Sequence, residues 1–401
     1  MGVVVALLLA ATAWFGHAFL MTALLNVWYA LPLQRWMHKR VRALIALAVF
    51  GFPFAVAWFY GRQLLAAWDE PSALAHRPWL LGYLTVCWLT ALVYVPAVTA
   101  YRFLRKPPTQ VAECRGLVED ISKRLAEPPV GSGKHWRLAR LPGNQCFQVE
   151  FRELTLRPPR LPPAWDGLTI LHLTDLHFCG TPDRTFYQQV FDICLSAGVP
   201  DLLMITGDVV DSFHHHRWIV PLVGRLKWGV AAYAILGNHD KYHDPVLVRR
   251  RLRRIGVRVI GNGWERIDVR DEPLVVVGNE WPWFRPEPIL PPVNDGGLRR
   301  PFRLCLSHTP DNFGWAQRNG IDLMLAGHVH GGQVRLPLLG SMFVPSRFSR
   351  RYDCGAFAAG PTFMYVSRGL AGREPLRYNC RPEVTRIILK NEPQVHTDEH
   401  R

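Results

Sequence analysis

Five times after Leu168 an apolar run breaks off into a short polar cluster, and this repetition constrains the fold more than any other feature of the 401-residue chain. The clusters are Asp175 and His177 in DLH, Asp208 in GDVVD, Asn238 and His239 in GNHD, His308 in LSH, and His328 and His330 in GHVHGG. A carboxylate and an imidazole two residues apart point to the same side of an extended chain, so at a strand's carboxyl end both reach one ion. Between the clusters the pattern alternates. Strands are predicted over 168–173, 201–205, 230–236, 257–260, 274–277, 303–307, 322–325, 362–367 and 384–390, and helices over 185–196, 221–227, 244–254 and 312–319. Such alternation argues for a layered α/β domain whose helices cover its sheets. In that class, polar residues just beyond the strand ends collect along one edge, where ligands bind.

Oxygen and imidazole donors without a thiolate suit Mn, Fe, Zn or Mg in a reactive centre rather than a structural zinc site. Asp175, His177, Asp208, Asn238, His308, His328 and His330 are too many donors for one ion and about right for two that share a carboxylate. Gly207, Gly237, Gly327, Gly331 and Gly332 let the backbone turn tightly beside them. GSGK at 131–134 lacks the first glycine of a nucleotide-binding P-loop, and His135 follows its lysine, so that reading is set aside.

DxH, GDxxD, GNHD, a lone His and GHxH, in this order over 168–390, resemble the calcineurin-like metallophosphoesterase superfamily. The resemblance implies an α-β-β-α sandwich and two divalent cations, with Mn first and Fe, Zn or Mg as alternatives. It implies that Asp175, His177, Asp208 and His330 hold one ion, and that Asn238, His308 and His328 hold the other, with Asp208 bridging. His239 becomes the histidine that assists the leaving group, oriented by Asp240, while Asp211 and Gln333 stand behind the ligands. Ser/Thr phosphatases of the superfamily are expected to carry an arginine after GDxxD, where this chain has Ser212 and Phe213. GGQVRLP, YDCGAF, YVSRGL and PLRYNCRPEVTRI instead resemble a bacterial membrane-associated branch that includes UDP-2,3-diacylglucosamine pyrophosphatases of lipid A synthesis. Asn279 to Trp281 (NEW) departs from the acidic pair expected there, which leaves other phospholipid or nucleotide substrates open; a non-enzymatic, metal-bound membrane scaffold is the remote alternative.

The first hundred residues are of another kind. Three apolar runs, 3–31, 43–60 and 79–104, predict about three transmembrane helices, because a bilayer span takes roughly 20 residues. No basic residue precedes the first run, and it is too long for a signal peptide's apolar core. The second run is short, ~27 Å as a helix, and a re-entrant segment there would turn the catalytic part to the other side. Tryptophans and tyrosines mark the ends of the runs, as in an interfacial belt. Arg35, Lys39, Arg40 and Arg42 crowd the first loop, and Arg102, Arg105 and Lys106 follow the third run, which places the N-terminus outside and the catalytic domain in the cytoplasm at the inner membrane. The expected organisation is a transmembrane region at 1–106, a juxtamembrane helix (110–127) and linker within 107–146, the metallophosphoesterase domain at 147–391, and a frayed tail at 392–401. His17 reads as a packed side chain rather than a ligand.

A formal charge of +15 calls for an anionic partner. The motifs and the anchor together favour a phosphate-containing, lipid-linked substrate and membrane lipids, with no nucleic acid expected. The eight cysteines show no CxxC pair, which suits a reduced compartment. His214, His215 and His216 read as a loop bordering the site, closer to substrate contact than to metal binding. The arginines from Arg249 to Arg254 are either a solvated helix face or a contact with anionic lipid, and Trp281 to Phe284 is either core or a loop meeting acyl chains.

Overall fold

The computed structural model describes residues 3–69, 77–291 and 300–391; the tail expected to fray lies outside them. The chain forms two compact units, Met1–Lys106 with Leu336–Arg350, and Pro107–Arg335 with Arg351–Arg401.

The first unit is helical. Helix α1 (Val3–Tyr29), helix α2 (Arg35–Asp69) and a third rod made of α3 (Pro78–Leu89), a wide π turn at Thr90–Tyr94 and α4 (Val95–Leu104) are, among the described residues, the three helices long and apolar enough to cross a membrane. The 27 residues of α1 reach ~40 Å, beyond the ~30 Å hydrocarbon layer. The second run does not stop at the 18 residues expected: it continues through Pro53 as one 35-residue helix, its basic start and polar end having hidden its length in the sequence. The π turn precedes Pro96, whose missing N–H breaks the helical ladder. Gly16 marks the tightest approach, since a Cβ there would lie 1.9 Å from the carbonyl oxygen of Cys87. His17 is a packed residue, with its ring nitrogens 2.6 Å from the Tyr83 hydroxyl and 3.1 Å from the Ala48 carbonyl.

The second unit opens with a correction. Residues 111–120, expected within a charged helix, form strand β1 (Val111–Asp120), paired antiparallel to β2 (Gln148–Leu156). Alternating charges suit an edge strand exposed on both faces, so the polar run that suggested a juxtamembrane helix instead protects a sheet margin. This also makes β2 an interior strand.

The chain then runs β3 (Thr169–Leu173), α5 (Arg184–Ser196), β4 (Leu202–Thr206), α6 (Ile219–Val223), β5 (Ala231–Ile235), α7 (Asn238–Tyr242), α8 (Pro245–Arg254) and β6 (Arg258–Val259). A second series follows: β7 (Trp264–Val269), β8 (Glu272–Asn279), β9 (Phe302–Ser307), α9 (Phe313–Arg318), β10 (Leu323–Ala326), the short pair β11 (Arg335–Leu336) and β12 (Gly340–Ser341), β13 (Gly355–Ala359), β14 (Thr362–Val366) and β15 (Glu383–Leu389). The seven-stranded sheet has the order β1-β2-β15-β3-β4-β5-β6, and the six-stranded sheet β13-β14-β10-β9-β8-β7.

Alternation along each strand builds two cores. Leu171, Leu203, Ile205 and Ala232 pack on Phe186 and Val190 of α5, Ile219 and Leu222 of α6, and Val248 and Leu252 of α8. Ile170, Leu202, Met204 and Tyr233 instead meet Val276, Leu304, Leu325 and Phe363 of the other sheet. Each fully buried aliphatic side chain contributes roughly 1.5–3 kcal/mol. With α9 on the outer side of the second sheet, the architecture is the α-β-β-α sandwich. The parallel neighbours β3, β4 and β5 in one sheet and β9 and β10 in the other end at the same margin, where all five polar clusters emerge.

Candidate metal centre

The backbone at this margin is held in a conformation that side chains other than glycine seldom adopt. Asp175, His177, Asp208, His328, His330 and Gln333 have φ of 55°, 43°, 53°, 70°, 50° and 53°. Left-handed residues of this kind, each ~1–3 kcal/mol above the ordinary wells, persist only where the surroundings fix them. Here the loops interlock through main-chain bonds, Asp175 N to Gly207 O at 3.0 Å, His177 N to Asp208 O at 2.9 Å and Gly327 N to His308 O at 3.1 Å. Gly237 and Gly327 are required by close approach: a Cβ would lie 2.1 Å from Asp208 Oδ1 at the first and 2.1 Å from Thr174 Oγ1 at the second.

Three overlapping groups of donors result, Asp175 with His177 and His330, His177 with Asp208 and His239, and Asp208 with His308 and His328, each with its ligand atoms within 4.8 Å of one another. His330 Nε2 lies 3.5 Å from Asp175 Oδ1, and His177 Nε2 lies 3.7 Å from both Asp175 Oδ1 and Asp208 Oδ2. On the other side His308 Nε2 is 3.2 Å from Asp208 Oδ2 and 3.0 Å from Asn238 Oδ1. All seven expected ligand positions are therefore brought together, with Asp208 between the two sets. The chemistry of the cluster fits divalent ions. Asp175 Oδ1 and His328 Nε2 are buried without a hydrogen-bond partner, a costly arrangement for a carboxylate and a ring nitrogen unless a cation faces them. His308 Nδ1 donates to the Thr206 carbonyl at 2.7 Å, which leaves the Nε2 lone pair free for a ligand bond.

Electrostatics tell the same story. Burial would raise the Asp175 and Asp208 carboxyls, but the surrounding histidines hold both well below the usual range. Burial would lower His308, but Asp208 and Asp175 push it up to about 9, whereas burial and the nearby His308 pull His328 down to about 3. Two buried carboxylates thus demand positive charge, supplied by protons or by metal.

His239 sits beside this cluster on α7, and here the expectation about Asp240 needs correcting. The carboxylate on the His239 ring is Asp211, whose Oδ1 lies 2.8 Å from Nδ1. Adjacent residues on a helix point about 100° apart, so Asp240 cannot face its neighbour's ring. Asp240 instead turns inward and accepts from the backbone N–H groups of Val209 and Val210, both at 3.0 Å, and Gly237 at 2.9 Å, fixing the Asp208 loop. Burial and Asp208 push its carboxyl up to about 6. Asp211 also lies 3.3 Å from His243 Nε2 and 3.6 Å from His177 Nδ1. Burial would raise it, yet His239, His177 and His243 hold it far below the carboxylate range. Gln333 stands to one side, its amide donating to Glu374 O at 3.3 Å.

Several neighbours were not singled out from sequence. His243 had a readable signal, since HDKYH places it four residues after His239 on the same helical face. Trp283, read from the sequence as either core or part of a loop meeting acyl chains, is core, its ring 4.7 Å from that of His328 and 5.2 Å from that of His308. Thr206 contributes only a carbonyl, and Arg377 donates to the His330 carbonyl at 3.1 Å from a remote loop. In α8, Arg249 turns to buried Glu280, the middle residue of NEW, while Val248 and Leu252 enter the core. In the 213–218 turn His214 is exposed and His216 buried, and neither belongs to the donor groups.

An α-β-β-α sandwich with such a cluster at its strand ends defines a metal-dependent phosphoester hydrolase. The chain belongs to the calcineurin-like phosphoesterase family, whose model matches residues 168–332. It is 33% identical over 232 residues to the phosphodiesterase YaeI of Escherichia coli (strain K12), covering 55% of this chain and 81% of that protein. It is 29% identical over 248 residues to the uncharacterized metallophosphoesterase YkuE of Bacillus subtilis (strain 168), covering 61% and 86%. A transmembrane protein with metallophosphoesterase domain from Bos taurus is 28% identical over 253 residues, covering 58% of this chain and 55% of that protein.

Proposed function

We propose that this protein is a membrane-anchored, two-metal hydrolase of a phosphodiester or pyrophosphate bond in a lipid-linked substrate, UDP-2,3-diacylglucosamine being the first candidate. The observation that carries the two-metal reading is the seven-donor cluster with Asp208 at its centre and orphaned donors at Asp175 and His328. Asp175, His177, Asp208 and His330 would hold one ion and Asn238, His308 and His328, with Asp208, the other; Mn fits these donors, as do Fe, Zn and Mg. Such ions supply an activated water and charge neutralisation at phosphorus. The chain's own contribution centres on His239. Asp211 accepts a hydrogen bond from Nδ1–H and stabilises the imidazolium, so that Nε2 can donate a proton to the departing oxygen. Asp240 keeps the Asp208 loop in place from behind.

The membrane spans and the basic residues beside them favour the cytoplasmic face of the inner membrane, where a UDP-linked lipid precursor resides. The resemblance of the motifs within 331–387 to the lipid A branch supports the substrate, and the name of the Escherichia coli relative favours a phosphodiester as the second reading. Purified protein with Mn, assayed at equal enzyme on UDP-2,3-diacylglucosamine, phospholipids and nucleotides, separates the two, and mass spectrometry in oxygen-18 water locates the phosphorus attacked. Turnover confined to phospholipids or nucleotides sinks the lipid A assignment, and two bound metals without hydrolysis of anything in the panel sinks the enzyme.

A further inference from the structure

Asn26 is one of the few polar residues in α1, and it is fully buried. Three partners of its side chain lie outside the long helices. Its amide nitrogen donates to the Met342 carbonyl at 3.0 Å and to Ser349 Oγ at 2.9 Å, and its oxygen accepts from Val344 N at 2.9 Å. All three belong to the excursion Leu336–Arg350, which packs within the helical unit although the chain before and after it belongs to the other. Further ties hold the excursion. Arg102, in the last turn of α4, donates to the Arg350 carbonyl at 3.4 Å; the Arg350 guanidinium lies 5.2 Å from the Phe19 ring, and Tyr29 meets Phe343 edge-on at 5.1 Å.

The outer side of this excursion is apolar. Leu336, Leu338, Phe343 and Phe348 are 44%, 77%, 39% and 42% exposed, on a segment that also carries exposed Arg347. Asn26 lies three residues from the end of α1, ~4.5 Å along the helix, beside Trp28 and Tyr29. That is the level at which headgroups give way to acyl chains and at which aromatic and arginine side chains settle. Phe343 of this patch meets Tyr29 at the end of α1, and the helical unit leaves large apolar side chains of its own open, such as Phe54.

We propose that residues 336–350 form a membrane-interface element, with Leu338, Phe343 and Phe348 seated at the boundary of headgroups and acyl chains and Asn26 as the latch that holds it there. Bilayer lipid is the occupant because the patch extends a surface already made for it. The element begins three residues after Gln333, so the loop that carries His328 and His330 leads directly into it. The inference rests on the helices spanning a bilayer and is independent of the substrate.

Spin labels test it without any assay of hydrolysis. The full chain, with exposed Cys114→Ser, is labelled at Leu338→Cys or Phe348→Cys in vesicles of phosphatidylethanolamine and phosphatidylglycerol. Phe54→Cys serves as the deep reference and Lys123→Cys as the aqueous one. Labels at 338 and 348 are expected to collide with oxygen, relative to a water-soluble nickel chelate, several-fold more than the label at 123 and less than that at 54. A ratio equal to that at 123, or protection from both reagents as under a protein partner, overturns the proposal; a label at 54 open to the nickel reagent overturns the bilayer span as well. Asn26→Leu should leave the label at 54 unchanged and increase the mobility of the label at 338. Unchanged mobility removes Asn26 as the latch.

Discussion

Two buried charge clusters lie in the same sandwich and are finished in opposite ways. Around Glu383, every charge has its partner: Tyr365 donates to Oε1 at 2.5 Å, Thr385 at 2.8 Å, and Arg368 bridges Glu383 Oε2 at 2.6 Å and Glu150 at 2.8 Å. Arg152 completes the set at 2.6 Å from Glu150. At the metal centre, by contrast, Asp175 Oδ1 and His328 Nε2 are left without hydrogen-bond partners and five ligand residues carry a positive φ. A closed network rigidifies a core, whereas an open one with strained backbone is kept for something the chain does not supply. The difference distinguishes structure from function more sharply than burial, since Glu383 and Asp208 are both buried.

The comparison is easiest to break at Asp208 and Glu383. Asp208→Asn is expected to lower kcat/KM by on the order of 10³-fold, because it weakens both halves of the donor set. The same variant should destabilise the metal-free protein less than a change at Glu383, because the histidines facing Asp208 can release their protons when its charge is lost, whereas the arginines facing Glu383 cannot. Thermal unfolding in detergent with chelator, set beside a steady-state assay, reads both effects; a metal-free protein that melts well below the parent would make Asp208 structural.

Glu383→Gln should do the reverse, costing about 3 kcal/mol while metal stoichiometry stays the same. Burial would raise Glu383, but Arg368 and Arg152 hold it at about 2, below its ordinary value of 4.5. The unfolded chain therefore binds the extra proton first. The stabilisation is complete above pH ~4.5 and disappears as the pH falls to about 2. An acid titration of stability should be steeper for the parent than for Glu383→Gln over that interval, and parallel curves would remove Glu383 from the account.

Metal removal is a third and smaller lever. If ions complete the open cluster, Mn at a hundred times its dissociation constant stabilises the protein by about 2.7 kcal/mol, and chelation reverses this. The shift should survive in Glu383→Gln and shrink in Asp208→Asn. A melting temperature indifferent to Mn in the parent would count against the cluster as a metal site.

How legible these regions were in the sequence follows from the range of their contacts. The donor clusters could be read because each follows its own strand, so a local pattern placed it at the common margin. The Glu383 network could not, because Glu150, Arg152, Arg368 and Glu383 come from β2, a late loop and β15, which no spacing connects. Strand β1 was misread as helix because an edge exposed on both faces has no apolar period. The Leu336–Arg350 excursion was invisible for the same reason as the network: its partners are Asn26 and Arg102, more than two hundred residues away. Asp240 was given the role of Asp211 from the resemblance, where helix geometry points the other way.

The finest test lies where the two kinds of cluster meet, at His243. Its Nε2 is 3.3 Å from Asp211 Oδ1, which places it against the carboxylate that holds His239. If Asp211 is part of the working centre, His243→Gln should lower kcat about tenfold, in the range seen for partners behind a reactive group, and leave KM and metal stoichiometry unchanged. The loss should be largest for substrates with a poor leaving group, which depend on the His239 proton, and should vanish for an activated aryl phosphodiester. A uniform loss across leaving groups would mean that His243 merely supports the fold, and would move Asp211 from the open cluster to the closed kind.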